Sequence, residues 1–127
     1  MSGEFNVQVS ERRKFKRYSA VPIKVRFKRS GEFKSSELID ISIGGLQIRT
    51  HFDFLMYDDY ECQIEIPLQN DKDIIYAKAK VWRIEPDEEN MDQKKRFVAF
   101  KFTEIEEYDQ IVISEFLTSF EENVPYK

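Results

Sequence analysis

Apolar and polar residues alternate with a period of two in several separate stretches of this chain. Ile23-Lys24-Val25-Arg26-Phe27-Lys28 is one such stretch. Tyr60, Cys62, Ile64 and Ile66 alternate with Glu61, Gln63 and Glu65 in another. Ile75, Ala77, Ala79 and Val81 alternate with Tyr76, Lys78, Lys80 and Trp82, and Val98, Phe100 and Phe102 form a last run. Successive side chains of a strand point to opposite faces, so each run predicts a strand with one face buried. Between the first two runs, Ile39, Ile41 and Ile43 share a face, which places Asp40 and Ser42 together on the opposite, outward face. Gly44-Gly45 interrupts that strand and Leu46-Gln47-Ile48-Arg49 resumes it. Six strands with turns at barrel-like spacing predict a small all-β barrel.

Ser30-Gly31 and Asn70-Asp71-Lys72-Asp73 predict turns, residues 51 to 59 a connector, and residues 85 to 90 a solvated loop. Thr103-Glu104-Ile105-Glu106 has the form of a capping box. It predicts a C-terminal helix packed at one end of the barrel, with Ile105, Tyr108, Val112, Phe116 and Phe120 on one stripe. The 127 residues suit one domain, read as 11–127 after a tail at 1–10. Eleven phenylalanines and six tyrosines supply a core.

A single cysteine, Cys62, excludes an internal disulfide and a multi-cysteine zinc site. No apolar run approaches the ~20 residues of a membrane span, and the N-terminus lacks the pattern of a signal peptide. The expectation is a cytoplasmic, soluble protein with no membrane insertion. A net charge of -4 argues against a DNA or RNA binder. The cations are nevertheless concentrated: residues 11 to 29 hold nine Lys and Arg against Glu11 alone. Such asymmetry can focus an anionic ligand.

Two short motifs sharpen that expectation. Arg13-Lys14-Phe15-Lys16-Arg17 reads R-x-x-x-R within a charged stretch at 11–19, and Asp40-Ile41-Ser42-Ile43-Gly44-Gly45 reads D-x-S-x-x-G. Arginine forks suit phosphate oxygens and the O6/N7 edge of guanine. A carboxylate can accept from guanine N1–H and its exocyclic amine, and glycine lets a backbone approach a ligand closely. Together these residue types describe a site for an anionic guanine nucleotide. Gly44 and Gly45 also suit a hairpin or bulge needing positive φ, and the two readings are compatible.

Both motifs, in this order, resemble those of the PilZ domain, a bacterial six-stranded antiparallel β-barrel module with a C-terminal helix that binds cyclic di-GMP. Tyr18-Ser19-Ala20 and Phe97-Val98-Ala99-Phe100-Lys101-Phe102 extend the resemblance across roughly residues 11 to 120. It implies ligand-binding roles for Arg13, Arg17, Asp40, Ser42 and Gly45, with the arginines on a loop that folds over the ligand; Arg12 and Gly44, directly beside them, are further ligand-binding candidates. It implies a stand-alone receptor that needs no cofactor beyond its ligand and signals through a downstream protein. The alternative is a module of the same fold that binds proteins and not nucleotide. Arg12, directly before Arg13, is either exposed and silent or pairs with a second, interleaved nucleotide. Trp82 either packs under the helix, the favoured reading, or lies near the ligand, and Arg83 beside it can support a phosphate. No catalytic set is evident: His51 and Cys62 lie on unrelated segments. Asp53, Asp58, Asp59 and Glu61 lack the order of a calcium loop, and no metal site is expected.

Overall fold

The two longest alternating runs become hairpin partners. A computed structural model describes residues 16–122. In it β5 (Asp59–Leu68) and β6 (Asp71–Pro86) pair from Asp59↔Lys80 to Leu68↔Asp71. The turn is therefore Gln69-Asn70, two residues earlier than the charged cluster suggested, and Asp71 to Asp73 already belong to β6. Around these lie β2 (Lys24–Arg29), β3 (Glu32–Ser42), β4 (Gly45–Thr50) and β7 (Arg96–Glu104). Hydrogen-bonded neighbours run β3-β2-β5-β6-β7-β4, and β4 returns to β3. All pairings are antiparallel, so the chain forms a closed six-stranded antiparallel barrel followed by a helix. Closure leaves no free edge on the ring. A seventh, two-residue strand, β1 (Tyr18–Ser19), lies within the stretch read as a connector and pairs with the end of β3. No helix among the described residues is long and apolar enough to cross a membrane.

The β2–β3 turn is Ser30-Gly31, with φ of 54° and 83°. Two successive positive φ values match the right-handed twist of the flanking strands. In β3 the register shifts between Leu38, opposite Ile48, and Asp40, opposite Gln47. Ile39 is the extra residue of a bulge, which breaks the strict alternation. Leu38 and Ile41 consequently face the core, while Ile39 does not join its former partner Ile41 there.

The connector at 51–59 contributes an unforeseen core residue. Phe54 is buried and meets Phe27, Phe100 and Tyr60 edge-on, with centroids 5.5, 5.3 and 4.8 Å apart. Phe27 stacks on Phe100 at 4.3 Å. Such offset and edge geometries suit the charge distribution of aromatic rings. The helix, α1 (Glu107–Glu122), starts later than the capping pattern predicted. Thr103 and Glu104 end β7 instead, because both still pair or lie beside β6. Ile113 and Leu117, one turn apart, are the buried residues of α1, with Val112 and Phe116 beside them. Tyr108, placed on the buried stripe by the sequence, is 70% exposed.

The loop at 85–90 is not merely solvated. Asp87 is buried and caps a short 3-10 helix, Glu88–Gln93. Its carboxylate accepts from the Glu89 amide at 3.2 Å, Asn90 Nδ2 at 2.7 Å and Arg49 Nη1 at 3.3 Å. Arg49 also donates to both Glu37 oxygens, at 3.0 and 2.5 Å. This hydrogen bonding holds the Glu37 carboxyl below its ordinary value of 4.5. For Asp87, burial pushes upward, but the bonds from Asn90, Glu89 and Arg49 outweigh it and the value falls below 3.8. Carboxylates depressed by folding stabilise the fold above their unfolded values and lose that contribution as acid protonates them. Arg49→Met should therefore lower the melting temperature at neutral pH, and thermal melts at decreasing pH should show the gap to the parent closing below those two values. A gap independent of pH would mean that the network acts through packing alone.

Candidate functional site

Strand pairing brings the two motifs together at one end of β3. Ser19 of β1 lies opposite Asp40 and Tyr18 opposite Ile41. Arg17, immediately before β1, is thereby held beside Asp40, and its Nη1 donates to Asp40 Oδ1 at 2.6 Å. Both side chains are less than one-fifth exposed. Lys16 lies over the Tyr18 ring at 5.4 Å. Ala20, at φ 58°, then turns the chain from β1 toward β2. Arg12 and Arg13 fall outside the described residues.

Ser42 is not on an open outward face. It is 4% exposed, and its Oγ accepts from the Gly44 amide at 3.1 Å while facing the Gly45 carbonyl at 3.5 Å. Its hydroxyl organises the turn that joins β3 to β4, the local side-chain–backbone bonding typical of serine. Neither Gly44 nor Gly45 adopts positive φ; among the described glycines only Gly31 does. Gly45 is required for proximity instead. A Cβ built there would stand 2.1 Å from the Phe100 carbonyl oxygen. Gly44 accepts from the Phe102 amide at 3.0 Å, so the hairpin tip is bonded to β7 on its other side.

Residues directly opposite one another across a sheet share a face. One row reads Ser19–Asp40–Gln47–Ala99–Arg83 and the next reads Ser42–Gly45–Lys101–Lys80. From Asp40 on β3 to Arg83 on β6 is three strand spacings, ~14 Å along the surface. Gly45 and Ala99 keep the middle of this strip low. Trp82 closes its far end. A register shift between Val81 and Arg83 makes Trp82 the extra residue of a bulge, a device that re-aims a side chain. Its ring lies 4.9 Å from both the Arg83 guanidinium carbon and Lys101 Nζ. Trp82 thus sits between cations, outside the core cluster that includes the helix residues Ile113 and Leu117, contrary to the favoured expectation. Among the described residues its buried indole N–H finds no acceptor.

Lys101 is the residue the sequence did not single out. Its outward position was legible from the flanking Phe100 and Phe102, but only the register places it opposite Gly45. The strip is therefore carboxylate and arginine at one end, and indole, arginine and lysine at the other. A cavity of about 470 Å³ lies elsewhere, lined by Glu61, Tyr76, Ala77, Lys78, Glu104, Ile105 and Glu106. Its three carboxylates do not suit an anion. Burial pushes the Cys62 thiol up to about 12, and His51 packs on Phe52 instead. No cluster of His, Cys, Asp or Glu suited to a metal occurs among the described residues.

The close approach at Gly45 is directly testable. Gly45→Ala must push β4 from β7 and should cost about 1–3 kcal/mol through overpacking. Ser42→Ala removes one turn hydrogen bond and should cost about 1 kcal/mol. Denaturant unfolding of both variants checks the order; an alanine at 45 that leaves stability unchanged contradicts the packing described.

Comparison with known proteins follows the same lines. The inhibitor of motility MotI/DgrA of Bacillus subtilis superposes with a TM-score of 0.75 at 22% identity, over 91% of this chain and 54% of that one. The PilZ domain of YcgR from Escherichia coli, solved with c-di-GMP, gives 0.64 at 18% identity, over 88% and 93%. The MrkH–c-di-GMP complex of K. pneumonia gives 0.63 at 20% identity, over 87% and 52%. The chain thus spans only about half of the MotI/DgrA and MrkH chains. At these identities the likeness concerns the fold. No curated protein matches the chain. The PilZ domain family model, however, matches residues 11–119, and the chain belongs to the PilZ domain family.

Proposed function

We propose that this chain is a receptor for cyclic di-GMP, binding it across the strip between Arg17–Asp40 and Trp82–Lys101. The observation that carries the reading is the 2.6 Å pair between Arg17 and Asp40, which joins one residue of each motif on a single patch. YcgR and MrkH, structures of the same fold, were solved with this nucleotide. The residue chemistry agrees. Arg13 and Arg17 supply guanidinium forks for phosphate or a guanine edge, and Asp40 accepts from the Watson–Crick edge of guanine. Trp82 offers a ring against which a base can stack, with Arg83 and Lys101 as flanking cations. Gly44 and Gly45 keep the hairpin low, and Ser42 holds its shape.

In the unliganded chain Arg17 and Asp40 satisfy each other. Binding is therefore an exchange: the nucleotide replaces an existing charge-assisted bond with new ones. The signal leaves as an altered surface read by a downstream protein. Residues 11–127 act as one domain, and the cytoplasm is the proposed compartment.

Titration of the purified protein with cyclic di-GMP, against GMP and cyclic di-AMP, tests the reading. At a hundredfold excess over Kd, linkage gives about 2.7 kcal/mol of stabilisation, a melting shift of roughly 5 °C for a domain of this size. Arg17→Ala and Arg13→Ala should each weaken binding by ~1.5–3 kcal/mol; Arg17→Ala, which strips Asp40 of its partner, should also lower the unliganded melting temperature, and Asp40→Ala should weaken guanine selectivity most. Calorimetry should count two nucleotides per chain, and Arg12→Leu should shift the count toward one. A folded protein that shows no shift with any of the three nucleotides is instead a protein-binding module of the same fold. A one-to-one count removes only the interleaved pair.

A further inference from the structure

The connector between β4 and β5 displays three consecutive apolar side chains to solvent. Leu55 is 62% exposed, Met56 40% and Tyr57 67%. This segment is held in place at several points. Phe54 is anchored in the core, the Leu55 amide donates to Tyr60 Oη at 2.9 Å, and the Asp58 amide donates to the Leu55 carbonyl at 3.2 Å. Tyr57 donates to the Val81 carbonyl at 2.8 Å and takes φ 69°, the left-handed region that disfavours a bulky residue. Strain kept at an exposed apolar tip calls for a use. Asp53, Asp58 and Asp59 flank the tip, all exposed, and residues 53–59 contain no cation.

A surface of opposite character adjoins it. Ile84, Pro86 and Met91 line a cavity of about 410 Å³ together with Lys94, Lys95 and Arg96. With Asp53 paired to Arg96 and Arg29 lying over Phe54 within the chain, the remaining contrast is apolar lining with Lys94 and Lys95 against an apolar tip flanked by Asp58 and Asp59. The volume suits large apolar side chains. The connector is tied to the strands that line this cavity at two points, Asp53 Oδ1 accepting from Arg96 Nη1 at 2.6 Å and the Tyr57 amide donating to the Val81 carbonyl of β6 at 2.8 Å. Complementary patches can each be used twice around a two-fold axis, the commonest symmetry of soluble oligomers.

We infer that two copies of this chain associate through this face, residues 55–57 of each copy entering the Ile84–Pro86–Met91 cavity of the other. The acidic flanks at Asp58 and Asp59 then meet Lys94 and Lys95. The association does not require nucleotide, so it stands or falls independently of the receptor reading.

Sedimentation velocity of the full chain tests it. The unmodified protein should shift from monomer toward dimer as concentration rises from micromolar toward millimolar. Asp58→Lys/Asp59→Lys, and separately Lys94→Glu/Lys95→Glu, oppose like charges in both contacts and should each raise the dissociation constant roughly tenfold or more. An equimolar mixture of the two variants restores attraction at both contacts and should recover the dimer. The recovery also shows that both variants are folded. A protein that stays monomeric over the whole range overturns the inference. So do variants that dimerise like the parent, or a mixture that stays monomeric, and a different partner for the tip would then have to be sought.

Discussion

Gly45 has no Cβ, and the Phe100 carbonyl lies where one would be. That contact lets β4 sit between β3 and β7 with its hairpin tip bonded to both. The rest of the candidate site depends on it. With β4 in register, Asp40 lies opposite Gln47, and Gln47 lies opposite Ala99. Lys101 faces Gly45, and Trp82 is brought to the same surface from β6. A side chain at position 45 would press on the β7 backbone at Phe100 and Lys101, and close-packed strands have little slack to absorb the displacement.

The electrostatics follow the same geometry. The protein is acidic overall, yet the outward rows from β3 to β6 hold Lys101, Lys80 and Arg83, with Arg17 reaching in from before β1, against the single carboxylate Asp40. Asp40 is neutralised by Arg17 and Trp82 lies between two cations, so both ends of the strip are occupied by their own partners before any ligand arrives. A partly buried arginine–carboxylate pair of this kind holds both groups in place. On the receptor reading proposed above, affinity would be a difference between two sets of charge-assisted bonds.

Much of the fold was legible because burial on one strand face imposes a period of two. The β2, β5, β6 and β7 runs all lie where alternation put them. The misreadings lie where alternation is blind. The bulge at Ile39 moved it away from Ile41, and Trp82, already on the outward face by alternation, packs among Arg83 and Lys101 and not under the helix. Capping chemistry misled at Thr103, where β6 kept the residue in a strand. Phe54, in a stretch without periodicity, became part of the barrel's aromatic core. Neither glycine of the second motif makes a left-handed turn; at Gly45 the requirement comes from the neighbouring Phe100 carbonyl.

By itself the sequence determined the residue types and their order: an alternating barrel, a terminal helix, two arginines in one motif and a D-x-S-x-x-G in the other. It could do so because periodicity and turn chemistry are local properties. Only the tertiary structure decided which of those residues meet. That Arg17 pairs with Asp40, that Ser42 is buried in a turn, that Lys101 joins Trp82, and that Asp53 meets Arg96 all depend on strand register. Register is fixed by the simultaneous fit of every strand around a closed ring, and no segment carries it alone.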